Sequence, residues 1–198
     1  MAAVSIFDIF KIGIGPSSSH TVGPMKSARA FVCSLDTVAA KVHAIQVSLH
    51  GSLAWTGKGH GTDTAILLGL SGLEPETIDP DSIQDVIATI RDTRKLSAPG
   101  IGEIDFDPDE HIVFDFDREL PRHTNGMHFT ATDKNGEVLA EDDYFSLGGG
   151  FFARGDEPEA GGQKGEPPHI FSSAAELLGQ CAEHKLSIAD LILENELT

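Results

Sequence analysis

Gly13-Ile14-Gly15-Pro16-Ser17-Ser18-Ser19-His20-Thr21-Val22-Gly23-Pro24 is the stretch around which the chain is read. A Gly-Pro turn opens into three serines, a histidine and a threonine, and an apolar period begins at once. Val22, Met25, Ala28, Val32 and Leu35 recur at three- and four-residue steps, the spacing of one buried helix face. Pro24 suits a first helical turn, so the hydroxyl run is expected at or just before a helix N-terminus. There, unpaired backbone N–H groups and the positive end of the helix dipole favour an anion. The local expectation is a small carboxylate or phosphate cradle with an imidazole beside it. The alternative is that these hydroxyls only cap the helix.

Upstream, Ile6, Phe7, Ile9 and Phe10 predict a short helical turn over Ser5–Lys11. Downstream, Ile45, Val47 and Leu49 alternate with Gln46, Ser48 and His50, which predicts a strand with one buried face. Gly57, Gly59 and Gly61 then predict a glycine-rich loop that presents His60. Thr62 or Asp63 is expected to cap a second helix of about ten residues, ending near Gly69 and Gly72. Asp79-Pro80-Asp81 is a helix start, with Ile83, Val86, Ile87 and Ile90 as its buried stripe.

Strands are predicted around Ile104 and Phe106, from Ile112 to Phe116, from Met127 to Ala131, and from Leu139 to Tyr144, with Asn135-Gly136 as a two-residue hairpin turn. The expected architecture is α+β: helices packed on one face of a mixed, largely antiparallel sheet, in the order α-β-α-β-β-β. That domain is assigned residues 1–150, and a Gly-, Glu- and Pro-rich linker residues 151–168. Ser173-x-x-Glu176 and Ser187-x-x-Asp190 start two further helices. Two short helices cannot bury a core. Residues 169–198 are therefore expected to be the first helices of a truncated all-α domain.

The chain has 31 acidic and 14 basic residues, a net charge of −17, which argues against a nucleic-acid partner. No apolar run approaches a membrane span and the N-terminus lacks a signal-peptide layout, so the expectation is a cytoplasmic protein with no membrane partner. Cys33 and Cys181 are the only cysteines. Two thiols cannot hold a four-cysteine zinc or iron–sulfur site.

Two histidines stand where proton transfer is useful: His20 in the hydroxyl run and His60 among the glycines. A third candidate segment is His123-Thr124-Asn125-Gly126-Met127, in which the Asn125 side chain can both donate and accept. The serines lack the Gly-x-Ser-x-Gly elbow of a nucleophile, and Gly-Ile-Gly-Pro fits neither a phosphate loop nor a dinucleotide fingerprint.

Phe7–Met25, Gly57–Asp63 and Tyr144–Gly150 resemble the bacterial iron–sulfur-dependent L-serine dehydratases, specifically their N-terminal or β-chain domain. The resemblance covers essentially the whole chain. The family commonly has proline where this chain has Thr124, while Asn125 and Gly126 remain. The resemblance implies conversion of L-serine to pyruvate and ammonia, with a 4Fe-4S cluster whose ligands lie outside this chain, in the α domain of the same protein. It also implies a fold related to the substrate-binding regulatory domain of some 3-phosphoglycerate dehydrogenases, and a homodimer is the expected assembly. An open iron position would act as a Lewis acid on the substrate hydroxyl. Ser17, Ser18, Ser19 and Thr21 would then bind the substrate carboxylate, with Asn125 and Gly126 as further substrate contacts. His20 or His60 would take the Cα proton. The chain by itself is expected to be inactive and iron-free. Two other classes stay open: an allosteric serine-binding module without catalytic residues, and a structural partner domain.

Overall fold

In the computed structural model Ser18–Val22 forms one π-helical turn that runs without a break into α1, Gly23–Ser34. Ser17 occupies the cap position in an extended conformation, yet its side chain caps nothing. Its Oγ lies instead 3.2 Å from Ser19 Oγ, while the single Thr21 hydroxyl hydrogen is shared between the Ser17 and Ile14 carbonyls, 2.5 and 2.7 Å away. The expected stripe of α1 holds, and Met25, Ala28, Val32 and Leu35 are all at most 1% exposed. The structure describes residues 10–155, 157 and 167–197. The helical turn expected over Ser5–Lys11 lies outside them except for its last two residues, as does the stretch 158–166 of the expected linker. The described residues form two compact units, one within Ile12–Glu159 and a smaller one holding residues 10–11 and 167–197.

β1, Ala44–His50, buries Ile45, Val47 and Leu49 as its alternation predicts. The following segment corrects the sequence reading. Ser52–His60 is a helix, α2, and not a glycine-rich loop. Leu53, Ala54 and Gly57 are buried at helical spacing, and that burial outweighs the low helix propensity of glycine. The break comes only at Gly61, where the left-handed backbone ends α2 and starts α3, Thr62–Leu70. Neither Thr62 nor Asp63 caps α3, because Gly61 holds the cap position. From Ala65 onward α3 is buried on every side, and it lies so close to α1 that a Cβ on Gly69 would stand 2.2 Å from the Met25 carbonyl.

Asp79 caps a 3-10 turn at Pro80–Ser82 that leads into α4, Ile83–Thr93. Ile87 and Ile90 are buried there, with Ile83 and Val86 packed beside the core. Arg91 of α4 and Lys58 of α2 converge on Asp63 Oδ2, at 3.3 and 2.8 Å. That carboxylate is only 9% exposed. Asp63→Ala is expected to cost about 2 kcal/mol, the worth of charged hydrogen bonds, read as a lowered urea midpoint at unchanged m-value.

β2, Lys95–Ala98, pairs only with β3, Gly102–Asp105, as a separate antiparallel ribbon. A one-turn helix, α5, Pro108–His111, precedes β4, Ile112–Asp115. β5, Gly126–Thr132, β6, Val138–Gly148, and β7, Phe151–Arg154, complete a five-stranded sheet of order β4-β1-β5-β6-β7. β5 and β6 pair antiparallel as expected; β7, formed by residues assigned to the linker, adds a third antiparallel strand, whereas β4 runs parallel to β1 at the opposite edge. Parallel neighbours need a long crossover, and residues 51–111 provide one through α2 to α5. The β5–β6 turn is a three-residue loop rather than a two-residue one. Asp133 N–H donates to the Glu137 carbonyl, and the Asp133 carboxylate accepts from the Asn135 and Glu137 amides.

The fold is α+β, as expected, with helices on one face of a mixed sheet. Ile45, Val47, Leu49, Met127, Phe129 and Tyr144 form that face. Phe129 stacks on Phe31 at 5.1 Å and meets Tyr144 edge-on at 5.3 Å. Burial pushes the Tyr144 phenol up to about 12. In the smaller unit, α6, Ala174–His184, is capped by Ser173, and α7, Ile188–Glu196, has the full Ser187–Asp190 capping box. Among the described residues no helix is long and apolar enough to cross a membrane.

Candidate active site

The π-turn and α2 face each other, and their polar side chains meet at His20. Ser52, Thr56 and His60 are spaced four residues apart along α2, so they share one flank of the helix. His20 Nε2 is 2.8 Å from Thr56 Oγ1 and 3.3 Å from Ser52 Oγ. Its Nδ1 is 3.0 Å from Ser19 Oγ, which is 3.2 Å from Ser17 Oγ. The His60 ring lies 4.8 Å from the His20 ring, tilted by 41°. His60 Nδ1 is 2.8 Å from the Thr56 carbonyl.

These contacts assign the protons. A carbonyl only accepts, so His60 carries hydrogen on Nδ1, and its Nε2 holds the lone pair when the ring is neutral. The single hydroxyl hydrogen of Thr56 goes to the Ser52 carbonyl at 2.8 Å. Thr56 Oγ1 therefore accepts from His20, which fixes Nε2–H on that ring and leaves Nδ1 to accept from Ser19. Burial, and secondly repulsion from His60, hold His20 below the ordinary histidine value, against a smaller opposing contribution from Ser52. His20 is thus a neutral donor within the site. His60 Nε2 has no hydrogen-bond partner among the described residues and is the nitrogen of that ring free to accept a proton.

The low value of His20 has a consequence for stability. As pH falls, the unfolded chain takes up this proton before the folded one does. Stability is therefore expected to decline as pH drops through about 6.5, the ordinary histidine value. Urea midpoints measured across that range, with His20→Gln as a variant that lessens the slope, check this; burial lowers His50 in the same direction.

The remaining predicted residues take different places. Ser18 is exposed at the start of the π-turn, and the amides of Ser18 and Ser19 precede His20, the first residue whose amide returns to the Ser17 carbonyl. Thr21 is buried and holds the Ile14 and Ser17 carbonyls. The Asn125 amide nitrogen donates to the Ser146 carbonyl at 3.1 Å, and Ser146 N–H returns to the Asn125 carbonyl. Gly126 packs tightly against Leu120, which a Cβ would approach to 2.9 Å. This segment reaches the site through Thr124, whose carbonyl accepts Ser52 N–H at 2.8 Å. Thr62 Oγ1 donates to the His20 carbonyl at 2.7 Å and ties α3 to the π-turn.

Ser52 and Thr56 were not among the residues predicted from sequence. Their signal is the Ser52-Thr56-His60 period, which shows only when residues 52–60 are read as helix. Thr56→Val removes the acceptor for His20 Nε2–H and leaves the carbonyl that holds His60. The expected result is a drop in turnover of about tenfold, measured in the full-length protein.

The family model for the serine dehydratase beta chain matches residues 5–157. This chain belongs to the serine dehydratase β-chain family. The L-serine dehydratase of Streptomyces coelicolor is 43% identical over 98% of this chain and 44% of its own length. L-serine dehydratase 1 of Escherichia coli is 44% identical over 98% and 43%, and the L-serine dehydratase of Helicobacter pylori strain J99 is 40% identical over 97% and 43%. The chain spans less than half the length of these curated relatives.

Within the serine dehydratase β domain the ligand set of a 4Fe-4S cluster does not fit. Such a cluster takes cysteine thiolates on each iron. Cys33 and Cys181 lie in separate units, and among the described residues no group of three or more His, Cys, Asp or Glu could hold a metal.

Proposed function

We propose that this β domain contributes the proton-handling and carboxylate-binding part of an L-serine dehydratase active site. The observation that carries the reading is the His20–His60 pair, with His60 Nε2 open and both ring nitrogens of His20 engaged by hydroxyls. The Ser17, Ser18 and Ser19 hydroxyls, with the Ser18 and Ser19 amides at the start of the turn, receive the carboxylate of L-serine. His60 Nε2 takes the Cα proton, and the β-hydroxyl leaves as hydroxide and takes up a proton to become water. The resulting aminoacrylate tautomerises to an imine, which water hydrolyses to pyruvate and ammonia. His20 positions the hydroxyl relay and, being neutral, adds no positive charge that would oppose protonation of His60.

The family resemblance implies a 4Fe-4S cluster held by an α domain outside these 198 residues; such a group would supply Lewis-acid help to the leaving hydroxyl. The complete protein is proposed to be a cytoplasmic enzyme that assembles as a homodimer.

The chain by itself is expected to form no detectable pyruvate from L-serine. Purified residues 1–198, assayed for pyruvate and scanned for iron–sulfur absorbance, test this; turnover or a cluster band would overturn the division of labour. The catalytic reading itself is tested by His60→Ala in the full-length protein.

A further inference from the structure

On the other flank of α2 a cavity of about 330 Å³ opens between α2, α4, α5 and β4. Its walls are apolar: Ala54, Pro108, Ile112 and Phe114 line it, and Trp55 and Phe116 meet edge-to-face at 4.9 Å. Trp55 is 69% exposed and Phe116 51% exposed, an unusual exposure for two large aromatics on one rim. The polar lining is four side chains, Lys58, Arg91, Asp63 and Asp109. Lys58 and Arg91 both reach Asp63 Oδ2, and each keeps donors that this single oxygen does not use. Asp109 is exposed, and its backbone amide is bonded to the Asp107 carboxylate.

Two cations against two carboxylates make a lining of no net charge. That balance suits a zwitterion better than an anion or a cation, and the apolar walls call for a hydrocarbon side chain. The size and the few convergent polar groups are those of a small-molecule pocket. We propose that this cavity binds a free α-amino acid with an apolar side chain. Its carboxylate meets Lys58 and Arg91, its ammonium meets Asp109, and its side chain lies against Trp55 and Phe116. The residues that hold it are distinct from those of the histidine site. They share one element with it: Trp55 and Lys58 stand on one flank of α2, and Ser52, Thr56 and His60 on another.

Trp55 is the only tryptophan of the chain, so its fluorescence reports on this cavity. Titrating the 198-residue chain with L-leucine is expected to give a saturable emission change with Kd near about 1 mM. L-Serine, which lacks the apolar body, is expected to bind at least about tenfold more weakly. So are 4-methylpentanoate and 3-methylbutylamine, which each lack one of the two charges. Lys58→Met keeps the Arg91–Asp63 pair and is expected to weaken L-leucine about tenfold. Saturation-transfer NMR on the leucine methyls gives the same comparison without relying on Trp55. Absence of saturation up to about 20 mM L-leucine, equal binding of 4-methylpentanoate, or unchanged binding in Lys58→Met would each overturn the proposal.

Discussion

His60→Ala in the full-length protein is expected to lower kcat by about 10²–10⁴, the usual worth of a general base, while KM changes little. The expectation follows from the hydrogen bond that fixes Nδ1–H on the Thr56 carbonyl and leaves Nε2 as the open nitrogen. The carboxylate contacts assigned to Ser17–Ser19 do not involve His60, so substrate binding survives its removal. His20→Ala is expected to act differently. It removes the link between Ser19 on one side and Thr56 and Ser52 on the other, so both kcat and KM suffer. Steady-state kinetics of the two variants separate the roles. A His60→Ala enzyme within about threefold of wild type would remove His60 from proton transfer.

The second large effect concerns the hinge on which the site is built. Gly51 joins β1 to α2 with φ +55° and ψ −128°, a region open essentially to glycine alone. A Cβ there would also lie 2.2 Å from the Thr124 carbonyl oxygen, the atom that accepts Ser52 N–H. Gly51→Ala is expected to destabilise the domain by about 4 kcal/mol, combining backbone strain with overpacking. Urea denaturation followed by circular dichroism reads this directly. A loss below about 1 kcal/mol would mean that the junction yields easily and does not fix α2 against the 123–126 segment.

Sequence reading and structure agree on several local features, though not on the Thr62 or Asp63 cap or the length of the Asn135-Gly136 turn. The α1 stripe, the alternation of β1, the Asp79-Pro80 start and both C-terminal caps all depend on residues within one or two turns of each other. α2 was misread because Gly57 and Gly59 signal a loop by propensity. The helix persists through packing, since Leu53, Ala54 and Gly57 are buried. Ser52 and Thr56 disappeared from view with it. Alternation marks β4 as a strand but carries no direction, so its parallel pairing with β1 was unreadable. Lys95–Ala98 holds two buried residues in four, too short a pattern to announce a strand. Candidate residues divide in the same way. His20, His60 and the serines were visible as residue types suited to the chemistry. The inward engagement of Thr21 with Ile14, and of Asn125 with Ser146, depends on partners that no local pattern names.

His60 presents an unprotonated Nε2 while His20 is a neutral Nε2–H donor. Long-range ¹H–¹⁵N spectra of the histidine rings, recorded on the chain at pH about 8, where an ordinary imidazole is neutral, test it most directly. Hydrogen is expected on Nδ1 of His60 and on Nε2 of His20. Hydrogen on Nε2 of His60, or on Nδ1 of His20, would contradict it.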